Sequence, residues 1–175
     1  MKTCVKMGIL WLCVTGMLLA QEKDAPDFSL PMLDGKTYRL SEHIGEGVIL
    51  INFWATWCIP CHSEMKALRK IYQKYHDQGL EILSISIDDP KTVSKVKGFV
   101  RSKKYPFTIL LDTNNEVFQL YRGSNPPLSV LINQQGKIVY THTGYRKGDE
   151  KALEEHIQKL LTASVKQKEP EKEER

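Results

Sequence analysis

The chain has 175 residues, 41% of them hydrophobic and 26% charged, with a formal net charge of +4. That length supports one domain with a substantial core, and the ordinary composition excludes a disordered, collagenous or polytopic membrane chain. The mild charge is not gathered on a basic face, so nucleic acid is not an expected partner.

Residues 1–20 read as a secretory signal or an uncleaved anchor. Lys2 and Lys6 precede an apolar run from Met7 to Ala20, and Gln21-Glu22-Lys23-Asp24 then turns polar. The run is shorter than the ~20 residues of a membrane span, so cleavage after Ala20 is the expectation. Cleavage takes Cys4 and Cys13 with it and leaves Cys58 and Cys61 as the only cysteines. Exported proteins held together by disulfides carry more pairs across longer loops, so this pair points to chemistry rather than to a staple.

Residues 21–161 are expected to form the domain. Ala25 to Leu30 and Thr37 to Leu40 read as short strands around an Asp34-Gly35 turn. Val48 to Trp54 is a continuous apolar run, the mark of a strand covered on both faces. From Pro60 to His76 the positions Met65, Leu68, Ile71, Tyr72 and Tyr75 fall at helical spacing. Leu80 to Ile87 is a second buried strand. Asp88-Asp89-Pro90 caps a helix carrying Val93, Val96 and Val100. Phe107 to Leu111 is a third strand, and Asn114 to Tyr121 a short helix. Leu128 to Ile132 and Ile138 to His142 form a hairpin around Asn133-Gln134-Gln135-Gly136. A last helix follows Gly148-Asp149, with Ala152, Leu153, His156, Ile157, Leu160 and Leu161 on one face. The Lys/Glu-rich stretch 162–175 is expected to be a solvated, disordered tail. Strands alternating with helices, closed by a hairpin and a helix, give an α/β sandwich around a mixed sheet.

Two thiols spaced Cys-x-x-Cys, where a buried strand hands over to a helix, suit reversible disulfide exchange. The nucleophile is the thiolate, and a helix N-terminus favours the anion through its unpaired N–H groups and dipole. Cys58 sits at that terminus and is the expected attacking thiol. Cys61, one turn on and more buried, resolves the mixed disulfide. Pro60 suits the first turn, where a missing N–H costs nothing. Glu64 lies three residues after Cys61 on the same face, placed either as a proton carrier for the thiols or as a solvated helix glutamate.

The segment Phe53-Trp54-Ala55-Thr56-Trp57-Cys58-Ile59-Pro60-Cys61-His62-Ser63-Glu64 resembles the active-site stretch of the TlpA/ResA-type branch of the thioredoxin-like superfamily, which are extracytoplasmic thiol–disulfide oxidoreductases. The Ala25-Pro26-Asp27-Phe28 arm and the stretch Pro127 to Val139 agree with it, so the resemblance covers roughly Ala25 to Leu161. It implies a thioredoxin-like α/β fold: a central mixed β-sheet flanked by helices, with an N-terminal β-hairpin extension and a βα insertion. It implies Cys58 and Cys61 as the redox dithiol and Glu64 as the acidic residue that tunes them. Asn52 stands where ordinary thioredoxins carry a buried aspartate. Trp57, Pro60, Pro126 and Pro127 form the substrate-facing set, with Pro127 as the cis-proline. The Ile59-Pro60 dipeptide is similar to that of reducing members. The implied partners are protein thiol or disulfide substrates and a membrane electron donor of DsbD/CcdA type. No cofactor beyond the Cys58–Cys61 disulfide and no metal is expected. The implied setting is a monomer in the periplasm or at the outer face of the cytoplasmic membrane.

Three departures stand out. Pro126 precedes the cis-proline position and removes an N–H that would meet a substrate strand. Lys66 stands where the family often has proline, which predicts a straighter helix. The Gly-x-Pro-Glu-Thr-Phe signature of dedicated cytochrome-maturation thioredoxins is missing.

Rival readings use the same residues. Cys58-Ile59-Pro60-Cys61-His62 also fits covalent haem attachment, with His62 as axial ligand. Its setting, between a buried strand and a helix, argues against that. A peroxiredoxin-like peroxidase would want Thr-x-x-Cys, whereas Thr56 is two positions from Cys58. Zinc lacks four spaced ligands, and His43, His76, His142 and His156 are scattered, as surface residues are. A non-catalytic binding module on this fold would keep its function without Cys58.

Overall fold

The computed structural model describes residues 23–167. The leader expected at 1–20 and the tail beyond 167 lie outside the described residues. The elements run β1 (Lys23–Asp24), β2 (Ser29–Pro31), β3 (Thr37–Arg39), β4 (Val48–Trp54), α1 (Ile59–Tyr75), β5 (Leu80–Ser86), α2 (Val93–Lys103), β6 (Thr108–Leu111), α3 (Glu116–Leu120), β7 (Leu128–Ile132), β8 (Lys137–Thr143) and α4 (Asp149–Gln167). Six strands form one sheet in the order β1-β8-β7-β4-β5-β6, and β2 pairs with β3 as a separate hairpin. The pairs β4–β5 and β5–β6 are parallel, while β7 runs antiparallel to both β4 and β8. This is the mixed, helix-flanked sheet of the thioredoxin-like class, with α2 and β6 as the βα insertion between β5 and α3.

All seven residues of β4 are buried, as a central strand covered on both faces requires. Successive side chains point to opposite faces. Asn52 faces α1, where Glu64 bonds it, and Trp54 on the same side meets Phe99 of α2 at 5.3 Å between ring centroids. Phe53 points the other way, into Phe118 of α3 and Tyr121. Helices α1 and α4 pack together, with Leu153, Ile157 and Leu161 buried at spacings of four. Glu154 of α4 accepts from Lys74 and Tyr75 of α1 at 2.7 and 3.1 Å.

The N-terminal arm does more than add a hairpin. Lys23 and Asp24 pair with Ile138 and Lys137 and extend the sheet past β8. Met32 bridges to Leu110 on β6, at the opposite edge. Between these anchors, Phe28 packs edge-on against Tyr121, whose hydroxyl donates to Pro26 O at 2.7 Å. One segment therefore reaches both sides of the sheet, pairing with two residues of β8 and bridging one of β6.

The structure corrects the sequence reading in four places. The first arm strand is Ser29–Pro31 rather than Ala25–Leu30, because the chain from Ala25 to Phe28 crosses the sheet instead of pairing within the hairpin. Asp88 is not a helix cap. Asp89 alone takes that role, accepting from Lys91 N and Thr92 N at the 3-10 turn Pro90–Thr92 that precedes α2. Ala152 is exposed, at the solvent edge of the α4 stripe. Finally, α4 continues to Gln167, past the expected boundary at Thr162. Thr162 and Ser164 return their hydroxyls to the carbonyls of Gln158 and Leu160 and so stay compatible with the helix. α1 is unbroken over 17 residues, through Lys66.

Candidate active site

β4 ends at Trp54, and the chain turns through Ala55, Thr56 and Trp57 into α1. Cys58 is the N-cap residue of α1, and Cys61 N donates to its sulfur at 3.3 Å. Cys58 and Cys61 are joined as a disulfide with Cα atoms 5.3 Å apart. Cys61 is fully buried and Cys58 nearly so, whereas Trp57 and Ile59 on either side are 64% and 78% exposed. Large apolar side chains left in water around a buried sulfur pair mark a contact surface.

The Trp54–Cys58 turn is held by a network that the sequence did not reveal. Thr56 N donates to Asp88 Oδ2 at 2.9 Å, and Thr56 Oγ1 to Asp88 Oδ1 at 2.5 Å. Ser86 Oγ donates to the same carboxylate at 2.8 Å. On the other side of the residue, His62 Nε2 donates to Thr56 O at 3.1 Å, and its ring packs on Phe99. Both polar ends of Thr56 are thereby anchored, one to the segment that follows β5 and one to α1. The fifth residue of the C-x-x-C-H string is occupied as a local brace, with its Nε2 already bonded, which removes the reason to read it as a haem ligand. A carboxylate directly after a buried strand, beside a Thr-containing turn, was the only signal that Asp88 carried.

Glu64 is 3% exposed and is not a solvated helix residue. Asn52 Nδ2 of β4 donates to its Oε2 at 2.7 Å, and Ser129 Oγ of β7 donates to its Oε1 at 2.9 Å. Burial pushes its carboxyl up, the Ser129 and Asn52 bonds pull it part of the way back, and the charge of Asp149 pushes it up again; the balance is a pKa of about 7. Beside it lies a cavity of about 10 Å³, close to the size of one water, lined by Ser129, Tyr140, His142, Tyr145 and Asp149 among others. His142 Nε2 is 3.3 Å from Asp149 Oδ2 there, so two residues read as plain surface histidine and helix start in fact face the buried carboxyl.

The Pro126–Pro127 peptide bond is cis. Pro127 is buried and Pro126 half-buried. Pro127 O accepts from Gly144 N at 2.8 Å. Because Leu128 pairs with Phe53 across β7 and β4, Pro127 flanks the end of β4, where the chain turns toward Cys58. Pro60 lies in the first turn of α1 and is exposed. The fold thus brings Trp57, Cys58, Pro60, Cys61, Glu64 and the Pro126–Pro127 pair to one end of the sheet.

A family model described as the AhpC/TSA family matches residues 22–141. The chain belongs to that family. Within it, the resemblance is to the ResA type. The chain is 36% identical over 138 residues to the thiol-disulfide oxidoreductase ResA of Bacillus thuringiensis subsp. konkukian, covering 79% of this chain and 77% of that one. It is 37% identical over 126 residues to ResA of Bacillus subtilis, covering 72% and 69%. Among solved structures, it superposes with a TM-score of 0.75 and 31% identity on a Chlorobium tepidum protein described as a thiol:disulfide interchange protein DsbE, covering 80% of this chain and 96% of that one. A thiol:disulfide interchange protein from Bacteroides sp. gives a TM-score of 0.68 at 26% identity, covering 82% and 91%. The protein is an enzyme of the ResA/DsbE-type thiol–disulfide oxidoreductase class.

Two outcomes follow from this geometry. Asp88→Ala strips the acceptor from Thr56 and Ser86 inside the protein, and is expected to lower unfolding stability by about 2–4 kcal/mol, against about 1 kcal/mol for Asp89→Ala at its exposed cap, in parallel urea titrations. Glu64→Gln removes a titration. The carboxyl ionises near 4.5 when unfolded and near 7 when folded. Between those values the unfolded state sheds its proton first, so the wild type loses up to about 3 kcal/mol as pH rises. The stability of the oxidised wild type relative to the Gln variant is therefore expected to fall by that amount between about pH 4 and about pH 8. A difference that stays level with pH would contradict the buried-carboxyl assignment.

Proposed function

We propose that the protein is an exported reductase of protein disulfides, working in the periplasm or at the outer face of the cytoplasmic membrane. The observation that carries the reading is a buried, neutral-range carboxyl one helical turn below a cysteine pair whose rim is exposed and apolar.

In the reduced enzyme, the Cys58 thiolate attacks a substrate disulfide. A Cys58–substrate bond forms, the substrate bond breaks, and the departing thiolate takes up a proton. Cys61 must then lose its proton to attack Cys58. Glu64, one turn away with a pKa near the working pH, accepts that proton. The Cys58–Cys61 disulfide forms, the second substrate thiol leaves, and two electrons have passed to the substrate. No further cofactor is needed for this cycle. A membrane dithiol carrier of the DsbD/CcdA type restores the dithiol by the reverse exchange.

Trp57, Pro60 and Pro127 form the wall against which the substrate segment lies. Pro126, lacking an N–H, leaves that segment one backbone hydrogen bond fewer than a non-proline residue would give. The reducing direction is supported by the Ile59-Pro60 pair between the cysteines. Cytochrome c maturation is one process such a reductase would serve. No helix among the described residues is long and apolar enough to cross a membrane, so attachment would rest on the leader.

The measurement that tests the direction is the reduction potential of the Cys58–Cys61 pair. A value below about −200 mV is expected, and one near about −120 mV would make the protein an oxidant instead. Cys61→Ser is expected to accumulate a mixed disulfide with the substrate in the exported compartment, while Cys58→Ser is expected to accumulate none.

A further inference from the structure

An open groove of about 440 Å³ starts at Ile59 and Pro60, the pair between the two cysteines, and runs along α1. One wall is the stripe Ile59, Ser63, Lys66 and Lys70, positions that recur on one helix face. The other wall is the β8–α4 connection and the first turn of α4, through Tyr145, Lys147 and Glu150. Lys66, Lys70 and Lys147 are exposed, and none of the three makes an ion pair among the described residues.

The negative side of the balance is nearly empty. Glu64 is the only acidic residue between Ile59 and Tyr75, and it is buried facing the other way. Glu150 is the one carboxylate in the lining, held ionised by Tyr145 Oη, which donates to it at 2.7 Å, and by Gly148 N at 2.8 Å. Three lysines against the one carboxylate of Glu150 leave the groove net positive, and its mouth is apolar, where Ile59 stands 78% exposed.

Its length has a meaning in residues. Ile59 to Lys70 is about 16 Å of helix, which an extended peptide crosses in about five residues. A substrate whose reactive cysteine sits over Cys58 would bring residues about three to five positions away against Lys66, Lys70 and Lys147.

We propose that this groove receives the acidic flank of the substrate polypeptide, and that the enzyme selects disulfides with carboxylates placed three to five residues from the reactive cysteine. The proposal rests on the reductase reading and adds the substrate class to it. A recess that begins at the two residues between the cysteines favours a polypeptide over an anionic lipid surface, which would want a flat basic face. Exposed charges steer encounter and choose among partners more than they add affinity.

The test uses a set of synthetic peptides with one disulfide, flanked at those positions by Glu, Gln or Lys. Single-turnover reduction by the reduced full-length protein is followed at low and high salt. At low salt the Glu peptide is expected to react on the order of ten-fold faster than the Gln peptide, and the Lys peptide slower still; high salt collapses the order. In the triple variant Lys66→Glu, Lys70→Glu, Lys147→Glu the order is expected to invert, with the Gln peptide unchanged as the control for folding and chemistry. Equal rates for the three peptides, or a Glu preference that survives in the variant, would overturn the proposal. So would loss of binding to phosphatidylglycerol vesicles in the variant with all peptide rates untouched, which would make the groove a lipid face. Serine versions of the peptides, followed by fluorescence anisotropy on the oxidised protein, read the groove without electron flow. Charge-ordered binding by a protein inert toward every disulfide would sink the reductase reading and keep the groove.

Discussion

The burial of one carboxyl organises this end of the molecule. Glu64 sits on α1, its two oxygens are held by Asn52 of β4 and Ser129 of β7, and Asn52 and Ser129 face each other across the sheet register. Three elements are thereby joined at one polar point in an apolar interior. An ionised carboxylate there would lose most of its hydration and gain only two neutral donors, so the neutral form survives up to about pH 7. A group poised in that way can take a proton and return it, which two sulfurs exchanging bonds require. The negative charge that appears when the disulfide opens would push the carboxyl further toward its neutral form.

The second constraint is the turn that delivers the sulfurs. Thr56 is gripped at its N–H by Asp88 and at its carbonyl by His62. Neither bond touches a cysteine, yet together they set where α1 begins and hence that Cys58 caps it. Rigidity in the turn is combined with exposure on either side of it: Trp57 and Ile59 project into water, while Cys58 between them is 5% exposed. A partner chain can cover the rim without the site having to rearrange.

Much of this was legible in the residues, for physical reasons. A seven-residue apolar run such as Val48–Trp54 has to be a strand covered on both faces, and the 3.6-residue spacing of Met65, Leu68, Ile71 and Tyr75 has to be a helix on top of it. Cysteines at that junction, with proline in the first turn, locate the site. What stayed hidden were interactions between distant segments. Asp88 beside Asp89-Pro90 looks like a cap, since local spacing favours capping, and only the sheet brings it to Thr56, 32 residues earlier. Lys23 and Asp24 carry no strand signal and pair only because β8 offers an open edge. The spacing of Glu64 from Cys61 put it on the same helix face, but its depth was not legible, because burial depends on Ser129, 65 residues away.

The central claim is that Glu64 is a buried carboxyl with its proton held near neutrality. It is tested most directly by labelling the glutamate side-chain carboxyls with carbon-13 and following the Glu64 resonance, assigned by its loss in Glu64→Gln, through a pH titration of the oxidised protein. The account predicts a midpoint near 7, well above the ordinary value of 4.5. A midpoint at the ordinary value would mean that the carboxyl is hydrated and charged under the dithiol, and the proton-carrier role would fall with it.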